Sequence, residues 1–245
     1  MKTSKYQKRF YRNWVYPKSW HREEVMVKET DLQILTDKPL DKDFAIKRAK
    51  FYRDKIEEYI NYKDRRFLTS LKPISVELTS HKIIQEMSRQ AKKANVGPMA
   101  AVAGAIAQFL GRDLLRCGYR DVIIENGGDI FLKVTKPIKV GLYSGRKKIL
   151  NRLSLKIDPK DTPLGVCTSS GTLGHSLSFG CADSVAILSK NAALADAVAT
   201  ATANLVREKG DLERAINFAR SVKGILGAAI ILKNNLASWG EIKFV

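Results

Sequence analysis

Apolar residues along this chain recur with two periods, one helical and one extended. From Asp41 to Tyr62, Phe44, Ala45, Arg48, Phe51, Tyr52, Ile56 and Tyr59-Ile60 mark one face at helical spacing, which predicts a long amphipathic helix. Ser80 is a natural N-cap for a second helix running through Ile83, Ile84 and Met87. Gly97-Pro98 opens a third, with proline in the first turn where its missing N–H costs little. One face of that helix carries Met99, Val102, Ile106 and Leu110, and another carries Ala100, Gly104, Ala107 and Gly111. The small-residue face admits a very close neighbour. Tight packing on the alanines around Asp196 and room for a flat ligand are both open. Asp211 to Val222 reads as a further helix with Leu212, Ala215, Ile216 and Ala219 inward.

The extended period begins with Val25 to Leu35, a strand pair or a strand broken near Thr30-Asp31. Pro73 to Leu78 reads as a short strand. From Asp121 onward, Val122–Glu125, Ile130–Val134, Ile138–Tyr143, Leu153–Ile157 and Leu164–Cys167 alternate with turn residues, the signature of an antiparallel meander. Ser184 to Leu188 is a short apolar run, and Ile225–Leu232 and Glu241–Val245 close the chain as strands. The predicted class is α+β: antiparallel sheets with packed helices, one unit over residues 1–245.

Gly165 to Asn204 departs from the rest. Its only charged residues are Asp183, Lys190 and Asp196, in a chain with 28% charged residues. Up to Gly180 it is rich in Gly, Ser and Thr, which turn tightly and present N–H and hydroxyl donors. An alanine-rich helix follows from near Asn191. Asp196 and Thr200 lie four apart on it and share one face, with Asn204 next along. Aspartate within a helix costs ~0.5 kcal/mol against alanine. Among alanines it is also close to buried, so something positive should meet it.

Net charge is +18, and the sequence pI is about 9.8, favouring anionic partners. Lys2, Lys5, Lys8, Arg9, Arg12, Lys18 and Arg22 all precede the first acid, Glu23. The alternation of Phe10 to Tyr16 suits an outer strand with Phe10, Trp14 and Tyr16 packed inward, which disfavours a nucleic-acid arm. Cys117, Cys167 and Cys181 have no CxxC spacing, so neither zinc nor a disulfide framework is indicated. No apolar run is long enough to span a membrane, and a cytoplasmic protein is expected.

Three motifs in order carry a resemblance: Glu125-Asn126-Gly127-Gly128-Asp129, Cys167-Thr168-Ser169-Ser170-Gly171 and Ala195-Asp196-Ala197-Val198-Ala199-Thr200-Ala201. Together they resemble the ApbE superfamily of flavin transferases. Gly97-Pro98-Met99-Ala100-Ala101-Val102-Ala103-Gly104 points to a prokaryotic branch of ApbE-like proteins, covering about Thr30 to the C-terminus.

The resemblance implies two closely joined lobes formed by one chain, with the ligand between them. It implies FAD or another flavin nucleotide beside Gly127, Gly128 and Asp129. The donor loop Thr168, Ser169, Ser170, Gly171 and Thr172 would hold its phosphates; with no Walker lysine, that loop is not a P-loop. It also implies Mg²⁺ on Asp196 and Thr200, helped by a backbone carbonyl from near Gly97 to Ala101. His175, set among Gly174, Ser176 and Ser178, is the candidate catalytic base or phosphate contact. The expected partner is an anionic small molecule, a nucleotide, with homo-oligomers allowed. The activity implied is cleavage or transfer at a pyrophosphate, by an FMN transferase or FAD pyrophosphatase. An auxiliary factor in sulfur assimilation or homocysteine formation is the other family-based expectation, and a nucleic-acid-binding protein is the expectation from charge alone. Two features depart from the ApbE pattern: Ser176-Leu177-Ser178-Phe179-Gly180 follows the histidine, and no lysine lies in Val102 to Ala107.

Overall fold

A computed structural model describes residues 20–142, 153–171 and 180–245. Eight strands form one fully antiparallel sheet in the order β1 (His21–Val27), β2 (Thr30–Thr36), β3 (Val122–Asn126), β4 (Asp129–Lys133), β7 (Leu164–Ser169), β8 (Ser184–Ser189), β9 (Ile225–Leu232) and β10 (Asn235–Gly240). The chain leaves this sheet after β4 to form β5 (Ile138–Gly141) and β6 (Ser154–Ile157), a separate antiparallel pair. It then returns, and β7 pairs with β4. The expected meander is therefore interrupted.

The helices are α1 (Lys42–Tyr62), α2 (Arg66–Thr69), α3 (Lys82–Ala94), α4 (Val102–Arg116), α5 (Ala192–Leu205) and α6 (Leu212–Ser221). They cover one face of the eight-stranded sheet. Leu32, Ile34, Val122, Ile124, Phe131, Cys167 and Ile187 project from the strands into that helical core. The alternate residues Leu35, Ile123, Leu132, Val166 and Leu188 pack with Val140, Leu155, Ile157 and Phe244 on the other face. Two-residue periodicity thus sorts each strand between two cores. The α+β class holds.

Local chemistry explains most boundaries. The Asp41 side chain accepts from Phe44 N–H and caps α1, and Asn191 accepts from Leu194 N–H and caps α5. Four expectations are corrected. The break between β1 and β2 falls at Lys28-Glu29, with Lys28 at φ 51°, rather than at Thr30-Asp31. The cap of α3 is His81, whose Nδ1 accepts from Ile83 N–H at 3.3 Å, rather than Ser80. Pro73–Leu78 joins no sheet, and its end enters a turn: it lies along α3, where Ser88 Oγ donates to Ile74 O and Gln85 Nε2 to Leu78 O at 2.7 Å. At the C-terminus the strand is β10, which the residue pattern does not predict, and residues 241–245 run beside β6, with Phe244 bridging Leu155, Lys156 N–H donating to Lys243 O at 2.8 Å and Val245 N–H to Ser154 O at 2.9 Å. The expected strand at Phe10–Tyr16 lies outside the described residues.

Candidate functional site

Where α4 begins, α5 crosses it at a distance only glycine permits. A Cβ on Gly104 would overlap the Ala192 carbonyl and sit 2.9 Å from the Cβ of Asp196. The small-residue face is thus a packing surface, the first of the two possibilities it left open. Across this contact the Asp196 carboxylate accepts from Gly104 N–H at 2.9 Å and also from Ala103 N–H. These belong to the first turn of α4, whose own preceding residue supplies no side-chain cap. A helix N-terminus leaves its first N–H groups unpaired and carries partial positive charge. Asp196 is therefore the cap of a helix on which it does not lie. The positive group the sequence demanded is, in part, this helix end.

The β3–β4 turn approaches the same point. Gly127 and Gly128 adopt φ 70° and 103°, values that L side chains rarely adopt. Glu125 Oε1 accepts from Gly128 N–H at 2.7 Å, and Asn126 Nδ2 donates to Ala103 O at 3.1 Å, tying the turn to α4. Thr168 Oγ1 donates to Gly128 O at 3.0 Å and ties it to the end of β7. Asp129 and Cys167 are cross-strand partners, and the Cys167 thiol lies 3.3 Å from Ala192 O at the start of α5.

Asp129 and Asp196 form an electrostatically poor pair. Asp129 is 5% exposed and Asp196 8%, as is Thr200. Burial, then the charge of Asp196, pushes the Asp129 carboxyl well above the ordinary carboxylate range. Burial raises Asp196 to about 7, opposed by the N–H groups of Gly104 and Ala103. Burial and both carboxylates raise the Cys167 thiol as well, which keeps it protonated and unsuited to nucleophilic attack. Asp129 Oδ1 and Ser169 Oγ are buried with no hydrogen-bond partner among the described residues. A hard divalent cation fits this donor set: carboxylate and hydroxyl oxygens beside an unmatched negative charge. Among the described residues no group of three or more His, Cys, Asp or Glu is arranged to hold a metal, so such an ion would draw further oxygens from a bound ligand.

Gly127, Gly128, Asp129, Thr168 and Asp196 therefore meet around the start of α4, and Thr200 is buried one turn farther along α5 from Asp196. Ser169 ends β7. Ser170 and Gly171 continue from it, with Gly171 N–H donating to Ala182 O at 2.9 Å and Ser170 Oγ 3.5 Å from the same oxygen. Thr172 and His175 lie outside the described residues. Sequence reasoning missed Gln108, whose Oε1 accepts from Ala192 N–H at 2.7 Å and holds the start of α5. Its signal was a lone amide in the apolar stretch of α4 before Arg112. It also missed Glu86, buried on α3, which accepts from Asn191 Nδ2 and from Gln90 Nε2. Among the described residues no single helix is long and apolar enough to cross a membrane.

The family model described as AbpE bacteria matches residues 12–238. A UPF0280 protein of Methanocaldococcus jannaschii is 38% identical over 231 residues, covering 91% of this chain and 92% of its own. One from Methanosarcina acetivorans is 36% identical over 222 residues, covering 90% and 87%. Among solved structures, the flavin transferase ApbE from Vibrio cholerae superposes with a TM-score of 0.59 at 13% identity, over 91% of this chain and 97% of that one. The ApbE protein from Thermotoga maritima gives 0.61 at 11% identity, over 89% and 96%. At that identity the likeness establishes a shared fold. The chain belongs to the AbpE bacteria family, among UPF0280 relatives and on the ApbE fold.

Proposed function

We propose that this protein binds a flavin nucleotide together with Mg²⁺ where the β3–β4 turn, the end of β7 and α5 meet the start of α4. The observation that carries the reading is the pair Asp129 and Asp196, two buried carboxylates for which the described residues supply no cationic side chain. The ApbE fold adds the ligand class. Asp196 and Thr200 would hold the ion; a Cβ on Gly128 would lie 2.7 Å from Thr168 Oγ1, so this glycine lets the β3–β4 turn close on the end of β7. In the loop Thr168, Ser169, Ser170, Gly171 and Thr172, Thr168 Oγ1 and Gly171 N–H already donate to Gly128 O and Ala182 O, and the buried Ser169 hydroxyl would be the donor to a phosphate oxygen. When bound, Mg²⁺ neutralises charge on a pyrophosphate and makes its phosphorus easier to attack.

The reaction this arrangement suits is transfer or cleavage at the flavin pyrophosphate. His175 would take the proton of an acceptor hydroxyl, or of water, as that oxygen forms the new bond to phosphorus and the nucleoside monophosphate leaves. Calorimetric titration of the dialysed protein with FAD and FMN, with and without Mg²⁺, tests the reading. Saturable FAD binding that tightens with Mg²⁺ is expected; no flavin binding under either condition overturns it.

A further inference from the structure

Asp129 has a role that its place in the Gly-Gly-Asp turn does not suggest. It faces inward from β4 toward the helices, on the same side as Phe131 of the helical core. The thiol of Cys167 and the N–H of Thr168 reach its carboxylate, but Oδ1 has no partner among the described residues. With 5% of its surface exposed, it has little water to offset that loss. The neighbours that act on it most are burial itself and the like charge of Asp196, and no cation is among them. By contrast Asp196 has main-chain N–H groups to meet it. The unsatisfied oxygen of the pair therefore belongs to Asp129. A phosphate contact would not cure this arrangement while the carboxyl is ionised, because phosphates bring more negative charge to it.

We propose that Asp129 is an anionic ligand of the divalent-cation site, so that the ion is shared between strand β4 and helix α5 instead of being held by α5 alone. This rests on the reading that a divalent cation binds at Asp196 and Thr200. It moves Asp129 from the nucleotide to the metal. The Thr168 N–H then orients the ligand by holding one carboxylate oxygen, and the unpartnered oxygen would meet the ion.

Mn²⁺ serves as a spectroscopic stand-in for Mg²⁺. Full-length protein freed of metal is titrated with Mn²⁺ in the presence of FAD, and free ion is read by electron paramagnetic resonance. The wild type is expected to bind one ion, and D129N to bind it about tenfold or more weakly. FAD affinity measured in EDTA should change little in D129N, since the nucleotide does not use this group. Unchanged Mn²⁺ affinity in D129N overturns the assignment while leaving Asp196 and Thr200 as the site. Loss of FAD affinity in EDTA with unchanged Mn²⁺ affinity returns Asp129 to the nucleotide. A wild type that binds no ion overturns the underlying reading, and this proposal with it. A readout without variants covers the case in which D129N does not fold. Infrared difference spectra of Mn²⁺-loaded minus metal-free protein, with carboxyl-labelled aspartate, should show two aspartates changing. One overturns the proposal.

Discussion

The carboxylate of Asp196 on α5 accepts a hydrogen bond from Gly104 N–H on α4 at 2.9 Å, across a contact in which a Cβ on Gly104 would lie 2.9 Å from the Cβ of Asp196. The absence of a side chain at one residue is the condition for the bond made by the other. An acidic side chain that caps a neighbouring helix fixes both the spacing and the rotation of the two helices.

Replacing Gly104 by alanine sets two effects against each other. Helix propensity improves by about 1 kcal/mol. The added methyl meets the main-chain carbonyl of Ala192, which cannot swing aside as a side chain could. Overpacking of this kind costs about 1–3 kcal/mol and here should outweigh the propensity gain. Urea denaturation should show a lower midpoint for Gly104→Ala, and an equal or higher one would contradict the contact.

Metal-free protein should lose stability as pH rises. Asp129 and Asp196 have folded pKa values above the unfolded 3.8, Asp196 at about 7, so folding retains protons that the unfolded chain releases. The contribution is present below pH 3.8 and declines until pH has passed the folded values. Melting temperatures compared between wild type and Asp196→Asn should differ in slope over this window, with the variant flatter. Mg²⁺ added with FAD at pH 8 should raise the wild-type melting point and leave Asp196→Asn nearly unmoved.

Thr200→Val removes a neutral oxygen and keeps the carboxylate, so its effect on Mg²⁺-dependent FAD binding should be the weaker of the two. Calorimetry on both variants checks the order. Equal Mg²⁺-dependent affinity in wild type and Asp196→Asn would end the proposal of a metal on α5.

Asn191 offers a test in which a conservative change is the worse one. Asn191→Ala loses the cap on Leu194 N–H and should cost about 0.5–2 kcal/mol. Aspartate is ordinarily as good an N-cap as asparagine. Here Asn191 Nδ2 donates to the Glu86 carboxylate, so Asn191→Asp would set a half-buried acid against a buried one. Chemical denaturation at pH 7 should rank Asn191→Asp at or below Asn191→Ala, and acidification should narrow the gap.

His81 should give stability the opposite pH slope to the aspartates. Its Nδ1 accepts from Ile83 N–H, and its ring packs edge-on to Phe51 with centroids 5.4 Å apart. Burial, then Lys55 and Arg48, lowers its pKa below 6.5, partly opposed by Glu58. A histidine held neutral contributes stability above its unfolded pKa and loses it as pH falls below 6.5. His81→Asn keeps an N-cap without a titrating ring, and its melting curve should lose that dependence between pH 7 and 5.

The parts of the fold legible in the sequence are those where side-chain chemistry acts locally. The start of α5 near Asn191, its alanine-rich course and the stripe of Asp196 and Thr200 could all be read, as could the Gly127-Gly128 turn. Strand β10 could not: only Ala237 and Trp239 pack inward as apolar residues, and Leu236, 40% exposed, breaks the alternation. Pro73–Leu78 looked like a strand because its pattern was right, yet Pro73 has no N–H to donate and the segment's partners are side chains of α3. At the site, the hidden feature was the partner of Asp196. Main-chain N–H groups carry no residue identity, so no pattern of letters could announce that Gly104 and Ala103 receive this carboxylate.

The excursion between β4 and β7 has an evolutionary consequence. Asp129 and Cys167 face each other on adjacent strands, and the intervening chain builds β5 and β6 against the opposite side of the sheet. Changes in the length or sequence of that chain meet the core formed by Val140, Leu155 and Phe244, with the full thickness of the sheet between them and the carboxylates. Lineages can therefore remodel one side of this molecule by insertion or drift while selection holds the chemistry of the other side fixed.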